Sequence, residues 1–282
     1  PGLAGVTVYV DLNGNGVFDS GTEPSEVTDP NGNYSLVTTV SGDIVVREVV
    51  PEGYRQTFAN PGGQARLFAV DESFASARIV ELDPVTGAEI NSFPVPVVGG
   101  NLVHSGLAYD GSTLFFVNGL DDEVGQRDRL FELDPDTGAI LDSTLLPDES
   151  ELDGLAVLNG LIYINDFDFD LIHVFDPATN SIINTFTQTT GEFQPFGGLG
   201  ELPASNRLLA TRGNSSPPSV GLLDPADGST VSSFDVAGII GLKGATSLDG
   251  EIYVVSNDTV TPDLSIRIYA TDGTFLRRIP RF

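Results

Sequence analysis

The chain has 282 residues, with 40 Asp and Glu against 13 Lys and Arg, which gives a formal net charge of −27 at pH 7. This charge excludes nucleic acid and anionic membrane surfaces as partners, because both would repel the chain, and it favours multivalent cations or simple solubility in a saline or acidic environment. Cys and Met are absent, which excludes disulfides and thiol chemistry and leads us to expect a chain that is processed or belongs to a longer one.

Residues 1–58 are predicted to form a small β-domain. Val6, Val8 and Val10 alternate with small or polar neighbours, as the side chains of a half-buried strand do. Further strands are predicted at Tyr34–Val37 and Ile44–Val50, and no apolar run in the chain approaches the roughly 18 residues that a membrane span needs. Direct insertion into a membrane is therefore not expected.

The segment between the first two predicted strands has the spacing of a calcium-binding loop of the EF-hand type. Oxygen-bearing side chains occupy loop positions 1, 3, 5 and 9, a glycine occupies position 6, and a backbone carbonyl is available at position 7. These predicted ligands are Asp11, Asn13, Asn15, the Val17 carbonyl and Asp19. Position 12 is Thr22, and the expected glutamate, Glu23, arrives one residue late. A one-residue bulge would deliver Glu23 to a calcium ion, and the alternative is an Asn- and Gly-rich turn without metal.

The same block resembles the SdrD B-type repeat, a relative of the collagen-adhesin B modules. The resemblance is carried by Pro1–Val8, by Thr28–Ser35 and by Val46–Tyr54, in that order around the acidic loop. It implies a transthyretin-like β-sandwich, a calcium-stiffened stalk, and a place outside the cell or on the surface of a prokaryote. Some relatives carry a Lys–Asn isopeptide bond, which this block excludes because it has no lysine. Family units begin with one more strand before this segment, and we expect it to be supplied by upstream polypeptide or by another molecule.

From residue 65 onward, one turn recurs with regular spacing. Pro sets the first central dihedral of such a turn, and Gly or Asn suits the left-handed position that ends it. The copies are Asp83–Gly87, Asp134–Gly138, Asp176–Asn180, Asp224–Gly228 and a shortened Thr271–Gly273.

Each turn follows a strand of alternating polarity and precedes an amphipathic strand. Further upstream come a short segment that begins with Gly and contains small residues, and then an apolar strand. Four strands repeated every 42 to 51 residues are typical of propeller blades. The sequence therefore predicts an all-β chain: a small transthyretin-like sandwich at 1–58, a linker at 59–64, and a β-propeller at 65–282. We predict five blades, with six as the alternative, because the first blade lacks a clear innermost strand unless Thr57–Asn60 supplies it.

No constellation of catalytic residues stands out, and small-molecule turnover is not expected. His104 and His173 lie in separate predicted strands, where a lone histidine is usually packed or exposed. The loops between the second and third strands of each blade are rich in carboxylates, and Asp166, Asp168 and Asp170 would point one way if their segment were extended. These three are a candidate cation site, against the alternative of a solvated acidic rim.

The sequence favours a non-enzymatic structural or adhesive surface protein whose partners are other copies of itself or other surface proteins. Four of the 13 bases fall in the last 16 residues, so an acidic start and a basic end could attract each other between molecules. One alternative is a carbohydrate- or protein-binding propeller head on a stalk. Another is an enzyme, because His104–Tyr109 is loosely similar to five-bladed glutaminyl cyclases, although the Phe-Thr-Gln-Gly-Leu signature of that family is absent.

Overall fold

The chain divides into two compact units, Pro1–Gln64 and Ala65–Phe282, called unit 1 and unit 2 below. The computed structural model describes residues 3–13, 17–38, 44–51, 66–71, 77–96, 102–120, 128–146, 152–166, 169–187, 198–213, 217–236, 238, 241–256 and 265–280. The predicted linker lies outside this set. The only helical element within these ranges is the 3-10 turn Pro203–Ser205, and the described residues include no helix long and apolar enough to cross a membrane.

Unit 1 contains one antiparallel sheet in its described part. Its strands are β1 (Thr7–Asp11), β2 (Ser25–Val27) and β3 (Val45–Glu48), in the order β2-β1-β3. Both faces of β1 are buried, and Tyr9, on one face, stacks on Phe18 with ring centroids 5.1 Å apart. The central strand therefore carries the core of the unit, while β2 and β3 lie at its two sides.

The prediction of a strand at Tyr34–Val37 is wrong, because this segment joins no sheet. The preceding turn is closed by the Asp29 carboxylate, whose Oδ1 accepts the backbone N–H groups of Asn31 and Asn33. Beyond this turn, the side chains of Tyr34 and Val37 are 50% and 82% exposed. An alternating sequence forms a strand only where a neighbouring strand satisfies its backbone groups.

Unit 2 is built from five antiparallel sheets in its described residues, and the prediction of an all-β chain is confirmed. We number these sheets I to V in chain order. Sheet I has three strands, β4 (Leu67–Asp71), β5 (Arg78–Leu82) and β6 (Glu89–Pro94), and the other four sheets have four strands each. Sheet II is β7 (Leu102–Tyr109), β8 (Leu114–Leu120), β9 (Arg129–Leu133) and β10 (Ile140–Leu145), and sheet III is β11 (Leu152–Leu158), β12 (Leu161–Asp166), β13 (Leu171–Asp176) and β14 (Ser181–Thr187). Sheet IV is β15 (Leu199–Leu202), β16 (Arg207–Arg212), β17 (Ser219–Leu223) and β18 (Thr230–Asp235), and sheet V is β19 (Leu242–Leu248), β20 (Glu251–Ser256), β21 (Ser265–Ala270) and β22 (Phe275–Pro280). The predicted innermost strand at Thr57–Asn60 lies outside the described part of the chain.

The apolar cores lie between sheets, and they form a closed cycle. Separate buried clusters join sheet I to II, II to III, III to IV and IV to V. A fifth cluster joins V back to I, where Ile266 and Ile268 pack with Val80 and Leu82. Each strand in the middle of a sheet is thus covered on both faces, which explains its nearly continuous apolar sequence.

The recurring Asp-Pro turns adopt the predicted conformation. In the first copy the Asp83 carboxylate accepts the backbone N–H groups of Val85 and Thr86, at 2.9 and 2.7 Å. Gly87 and Asn180 both have positive φ, 74° and 51°, which confirms the left-handed position that ends the turn.

These turns also connect neighbouring sheets, through a contact that we call the inter-sheet latch. The Gly228 turn of sheet IV lies against Phe186 of sheet III, and the Gly273 turn of sheet V lies against Phe234 of sheet IV. Where sheet III carries Asn180 instead of glycine, sheet II carries Thr144 instead of phenylalanine, and the Thr144 hydroxyl donates to Asn180 Oδ1 at 2.6 Å. The latch therefore has an aromatic form and a hydrogen-bonded form.

Candidate functional site

The loop after β1 gathers acidic side chains at one end of the unit 1 sheet. Asp11 ends β1, its side chain is fully buried, and its Oδ2 accepts Arg47 Nε on β3 at 2.7 Å. Glu23 is 6% exposed, and its carboxylate spans the loop. Its Oε1 accepts the Leu12 N–H at 2.9 Å, and its Oε2 accepts the Asp19 N–H at 3.0 Å. The glutamate that arrives one residue late thus points back into the loop.

The other predicted ligands are distributed around this carboxylate. Asn13 Nδ2 donates to Asp19 Oδ2 at 2.7 Å, so these two side chains meet across the loop. Thr22, at position 12, donates its hydroxyl to the Asp19 carbonyl at 3.0 Å and leaves the carboxylate position to Glu23. Val17 is 63% exposed, and Asn15 lies outside the described residues.

The chemistry of this loop suits a hard cation. Burial raises the pKa of the Tyr9 hydroxyl; the negative charge of Asp11 raises it further, Arg47 lowers it, and Glu23 and Asp19 raise it. All the predicted donors are oxygens, as calcium prefers. Among the described residues no group of three His, Cys, Asp or Glu side chains has the arrangement of metal ligands. Asp11 accepts Arg47, Asp19 accepts Asn13, and Glu23 accepts backbone N–H groups.

In the second candidate cation site, predicted at Asp166, Asp168 and Asp170, the described residues Asp166 and Asp170 lie at a strand end and in a turn. Strand β12 ends at Asp166, and the chain turns at Phe169–Asp170, where Asp170 has φ 52°. Asp166 is buried, and its Oδ1 accepts the Phe169 N–H at 3.1 Å. Asp168 lies outside the described residues. The turn therefore separates the backbone directions at Asp166 and Asp170, which the sequence pattern alone would align.

Asp166 instead takes part in a hydrogen-bonded row that the sequence did not indicate. His173 Nε2 lies 3.4 Å from Asp166 Oδ2, and His173 Nδ1 lies 2.9 Å from Thr185 Oγ1. The row joins the last three strands of sheet III, because His173 faces Ile164 and Thr185 in the strand register. The other histidine, His104, lies in β7 of sheet II. An acid, an imidazole and a hydroxyl in a row resemble a nucleophile relay, but the Thr185 N–H donates to Asn184 Oδ1 and does not serve as an oxyanion donor.

Buried polar residues of unit 2 concentrate where second strands end and third strands begin. Asn118 is fully buried, and its Oδ1 accepts the Arg129 N–H at 2.8 Å. Its Nδ2 has no hydrogen-bond partner within the described part of the molecule. Asp128 is also buried and accepts the Leu152 N–H at 3.3 Å. This end of the sheets carries the loops between second and third strands, which the sequence showed to be rich in carboxylates.

Glu201 on β15 is a functional candidate that no motif in the sequence indicated. Its carboxyl accepts the Thr246 hydroxyl of β19 at 3.0 Å and interacts with the Val157 backbone of β11. It thus touches the first strands of three successive sheets. The residue keeps a small accessible surface, yet protein atoms surround the carboxyl, and this burial raises its pKa to about 8. Burial therefore favours the neutral form of this carboxyl well above the pH at which a solvated glutamate ionises.

No protein-family model matches the chain, and a comparison with curated proteins finds no match. Among solved structures, the chain is similar to the glutaminyl cyclase of Myxococcus xanthus, at 17% identity over 64% of this chain and 78% of that chain, with a TM-score of 0.50. It also matches BamB from Moraxella catarrhalis, at 18% identity over 76% and 61% of the two chains, with a TM-score of 0.38. The WD40 repeats of RRP9 match at 16% identity over 64% and 52%, with a TM-score of 0.43. The likeness to the cyclase concerns the fold, and the chain contains a β-propeller.

Proposed function

We propose that this chain is a non-enzymatic structural or adhesive protein of a prokaryotic cell surface, and that it works as a repeating subunit of a filament or surface assembly. The observation that carries the proposal is the exposed apolar surface of unit 1. Of the 20 exposed large apolar side chains among the described residues, ten belong to unit 1, which holds less than a quarter of the chain. Exposed apolar surface beside sheet edges is typical of a region that another chain covers.

The architecture that supports this proposal is a stalk-like sandwich and a five-bladed propeller. Five sheets with a closed cycle of apolar cores favour five blades over six. For unit 1 we propose the SdrD B-type sandwich, on the sequence resemblance and on the acidic loop after β1. A propeller head that binds carbohydrate or protein at the end of a stalk is the second candidate, and the polar end of the sheets, with Asn118 and Asp128, favours it.

We propose calcium as the cation of unit 1. Asp11, Asn13, Asn15, the Val17 carbonyl, Asp19 and Glu23 would hold it. Binding would require Asn13 to present its oxygen and Glu23 to exchange its backbone partners for the metal. Arg47, 2.7 Å from Asp11, neutralises one of these charges and competes with the ion. Calcium would supply a charge that ties both ends of the loop to β1.

Calcium is expected to raise the thermal stability of unit 1. A ligand that binds only the folded state stabilises it by about 2.7 kcal/mol at a hundredfold excess over Kd. Calorimetry of the full chain in millimolar calcium and then in chelator should show a reversible shift of one transition. Glu23→Gln should abolish the shift, whereas Glu26→Gln, on exposed β2 away from the loop, should preserve it. An unchanged transition in the unmodified chain would contradict the calcium site.

The proposal also states that the chain has no cyclase, hydrolase or transferase activity. It is supported by the Asp166–His173–Thr185 row, in which the Thr185 N–H donates to Asn184 Oδ1 and is not offered to an oxyanion. A peptide with N-terminal glutamine is expected to remain unchanged after incubation with the chain. Turnover that disappears in a His173→Gln variant with an unaltered melting temperature would establish the enzyme instead.

Assembly is expected to be visible in solution. The full mature chain should form species larger than a monomer in light scattering, with mass rising with protein concentration and with calcium. Imaging of the native cell surface should then show a polymer. A chain that stays monomeric with and without calcium would leave a stalk and a head, and would contradict the repeating subunit.

A further inference from the structure

We infer that unit 2 binds a small anion of halide size between sheets I and II, through the side-chain amide of Asn118 and the guanidinium of Arg129. This inference goes beyond the proposed function, because it concerns unit 2 alone and does not depend on assembly. It rests on two separate observations at neighbouring positions of sheet II. One is a buried N–H donor without an acceptor, and the other is a guanidinium without a carboxylate.

Asn118 lies near the end of β8, on the face of sheet II that packs against sheet I. It shares this face with Phe116, a member of the core between the two sheets, because side chains alternate along a strand. Asn118 Oδ1 accepts the Arg129 N–H at 2.8 Å. Only the oxygen of an amide can accept a hydrogen bond, so this contact fixes the orientation of the group.

The same orientation leaves Asn118 Nδ2 inside the protein. The residue is 0% exposed, and Nδ2 has no hydrogen-bond partner within the described part of the chain. An unpaired buried donor is unfavourable, and native structures satisfy nearly all such groups with a protein acceptor, a water molecule or an ion. Asn118 Nδ2 therefore indicates an acceptor that the protein itself does not supply.

Arg129 is the register partner of Asn118 on β9, and cross-strand partners lie on the same face of a sheet. Its guanidinium is partly exposed, and its one hydrogen bond goes from Nη1 to Ser143 Oγ at 3.2 Å. It forms no ion pair with a carboxylate of the described residues. Four other arginines each lie within 3.1 Å of a carboxylate oxygen: Arg47, Arg66, Arg78 and Arg277. In a chain with 40 Asp and Glu, the charge of Arg129 thus stands without a balancing acid.

The acidic side chains next to Arg129 in the sequence lie on the other face of sheet II. Leu130 belongs to the core between sheets II and III, and Asp128 and Glu132 share its face because side chains alternate. Asp128 accepts the Leu152 N–H of sheet III at 3.3 Å. The net charge of −27 opposes an anion at long range, but salt at about 0.15 M screens charges beyond a Debye length of about 8 Å.

The burial of Asn118 favours a halide over a larger anion. A carboxylate or a phosphate carries further atoms that need space beside Nδ2, whereas chloride needs only N–H and O–H donors around one atom. Hydrogen bonds from a guanidinium to an anion are among the stronger ones in proteins. Bound chloride would satisfy Asn118, balance Arg129 and connect β8 with β9, so it should stabilise unit 2.

Thermal denaturation of the full chain tests this site. Sodium chloride is compared with sodium gluconate at the same ionic strength, and chloride at about ten times its Kd should raise the transition of unit 2 by roughly 3–6 °C. Bromide should do the same, and a crystal grown in bromide should give an anomalous scattering peak within hydrogen-bond distance of Asn118 Nδ2. Asn118→Asp keeps the acceptor for the Arg129 N–H and puts a fixed negative charge in place of the anion. This variant should lose the response to chloride.

Asn184→Asp is the matched control. Asn184 is exposed on β14, and its Oδ1 also accepts a backbone N–H, that of Thr185 at 2.9 Å, so this variant should keep the full response. If Asn118→Asp does not fold, as judged by circular dichroism, Arg129→Gln removes the cation and should likewise lose the response. Equal melting temperatures of the unmodified chain in chloride and gluconate would overturn the site, and so would a full response in a folded Asn118→Asp variant. A water molecule would then be the acceptor for Nδ2.

Discussion

Replacing Gly228 with alanine is expected to lower the free energy of unfolding of unit 2 by roughly 2–5 kcal/mol. Gly228 has φ +73°, a conformation that alanine adopts only under strain. A Cβ atom there would lie 2.5 Å from Cε2 and 2.6 Å from Cδ2 of Phe186. Since Phe186 belongs to the core between sheets III and IV, relief of the overlap would displace the latch.

Gly250→Ala is the matched control for this substitution. Gly250 has a similar φ, +78°, but nothing lies within 4 Å of the position that its Cβ would take. Its replacement should cost about 1–2 kcal/mol, from backbone strain alone. Urea denaturation of both variants measures the difference. Equal losses would show that backbone strain accounts for both, and that the contact with Phe186 contributes nothing.

The second large effect is expected at Glu201, whose replacement by glutamine should make unit 2 more stable at high pH. The folded pKa is raised to about 8 by burial, above the ordinary value of about 4.3 for glutamate. Between these values the unfolded chain has lost the proton that the folded chain keeps. The protonated Glu201 carboxyl therefore contributes its full stabilisation below the unfolded pKa of about 4.3, and this contribution is lost as the pH rises through the folded pKa of about 8. At 1.4 kcal/mol per pH unit, reduced by partial solvent access, the loss is on the order of 3–5 kcal/mol.

Glu201→Gln keeps an acceptor for the Thr246 hydroxyl and has no charge to bury. The difference in stability between the variant and the unmodified chain should therefore grow from pH 4.5 to pH 8, as measured by urea denaturation at several pH values. Glu251→Gln is the control of opposite sign. The Arg277 hydrogen bonds lower the pKa of Glu251, so its contribution is present at neutral pH and is lost on acidification. A Glu201→Gln difference that does not vary with pH would contradict a neutral buried carboxyl.

In the inter-sheet latch, the residue types could be read from the repeat pattern, but the contact between them could not. The sequence shows that Asn180 stands where other copies of the turn have glycine, and the left-handed position explains both residues. It also shows Thr144 where other strands have phenylalanine. Only the fold brings these two exceptions together, at 2.6 Å, because they are 36 residues apart and belong to different sheets.

The acidic loop of unit 1 was largely foreseeable. Regular spacing placed Asp11, Asn13 and Asp19 in one turn, since ligands within a dozen residues are brought together by local geometry. The pattern also suggested that a one-residue bulge would bring Glu23 back to the loop. It did not indicate Arg47, whose contact with Asp11 depends on the pairing of β1 with β3.

By itself, the sequence determined the all-β class, the recurring turns and most strands of unit 2. These features depend on the alternation of side chains and on the dihedral preferences of Gly, Pro and Asn, which act over a few residues. Only the tertiary structure decided that Tyr34–Val37 forms no strand, that His173 lies between Asp166 and Thr185, and that the Glu201 carboxyl lies among protein atoms that raise its pKa. Strand pairing, burial and pKa depend on neighbours that are distant in the chain, and local residue patterns do not identify those neighbours.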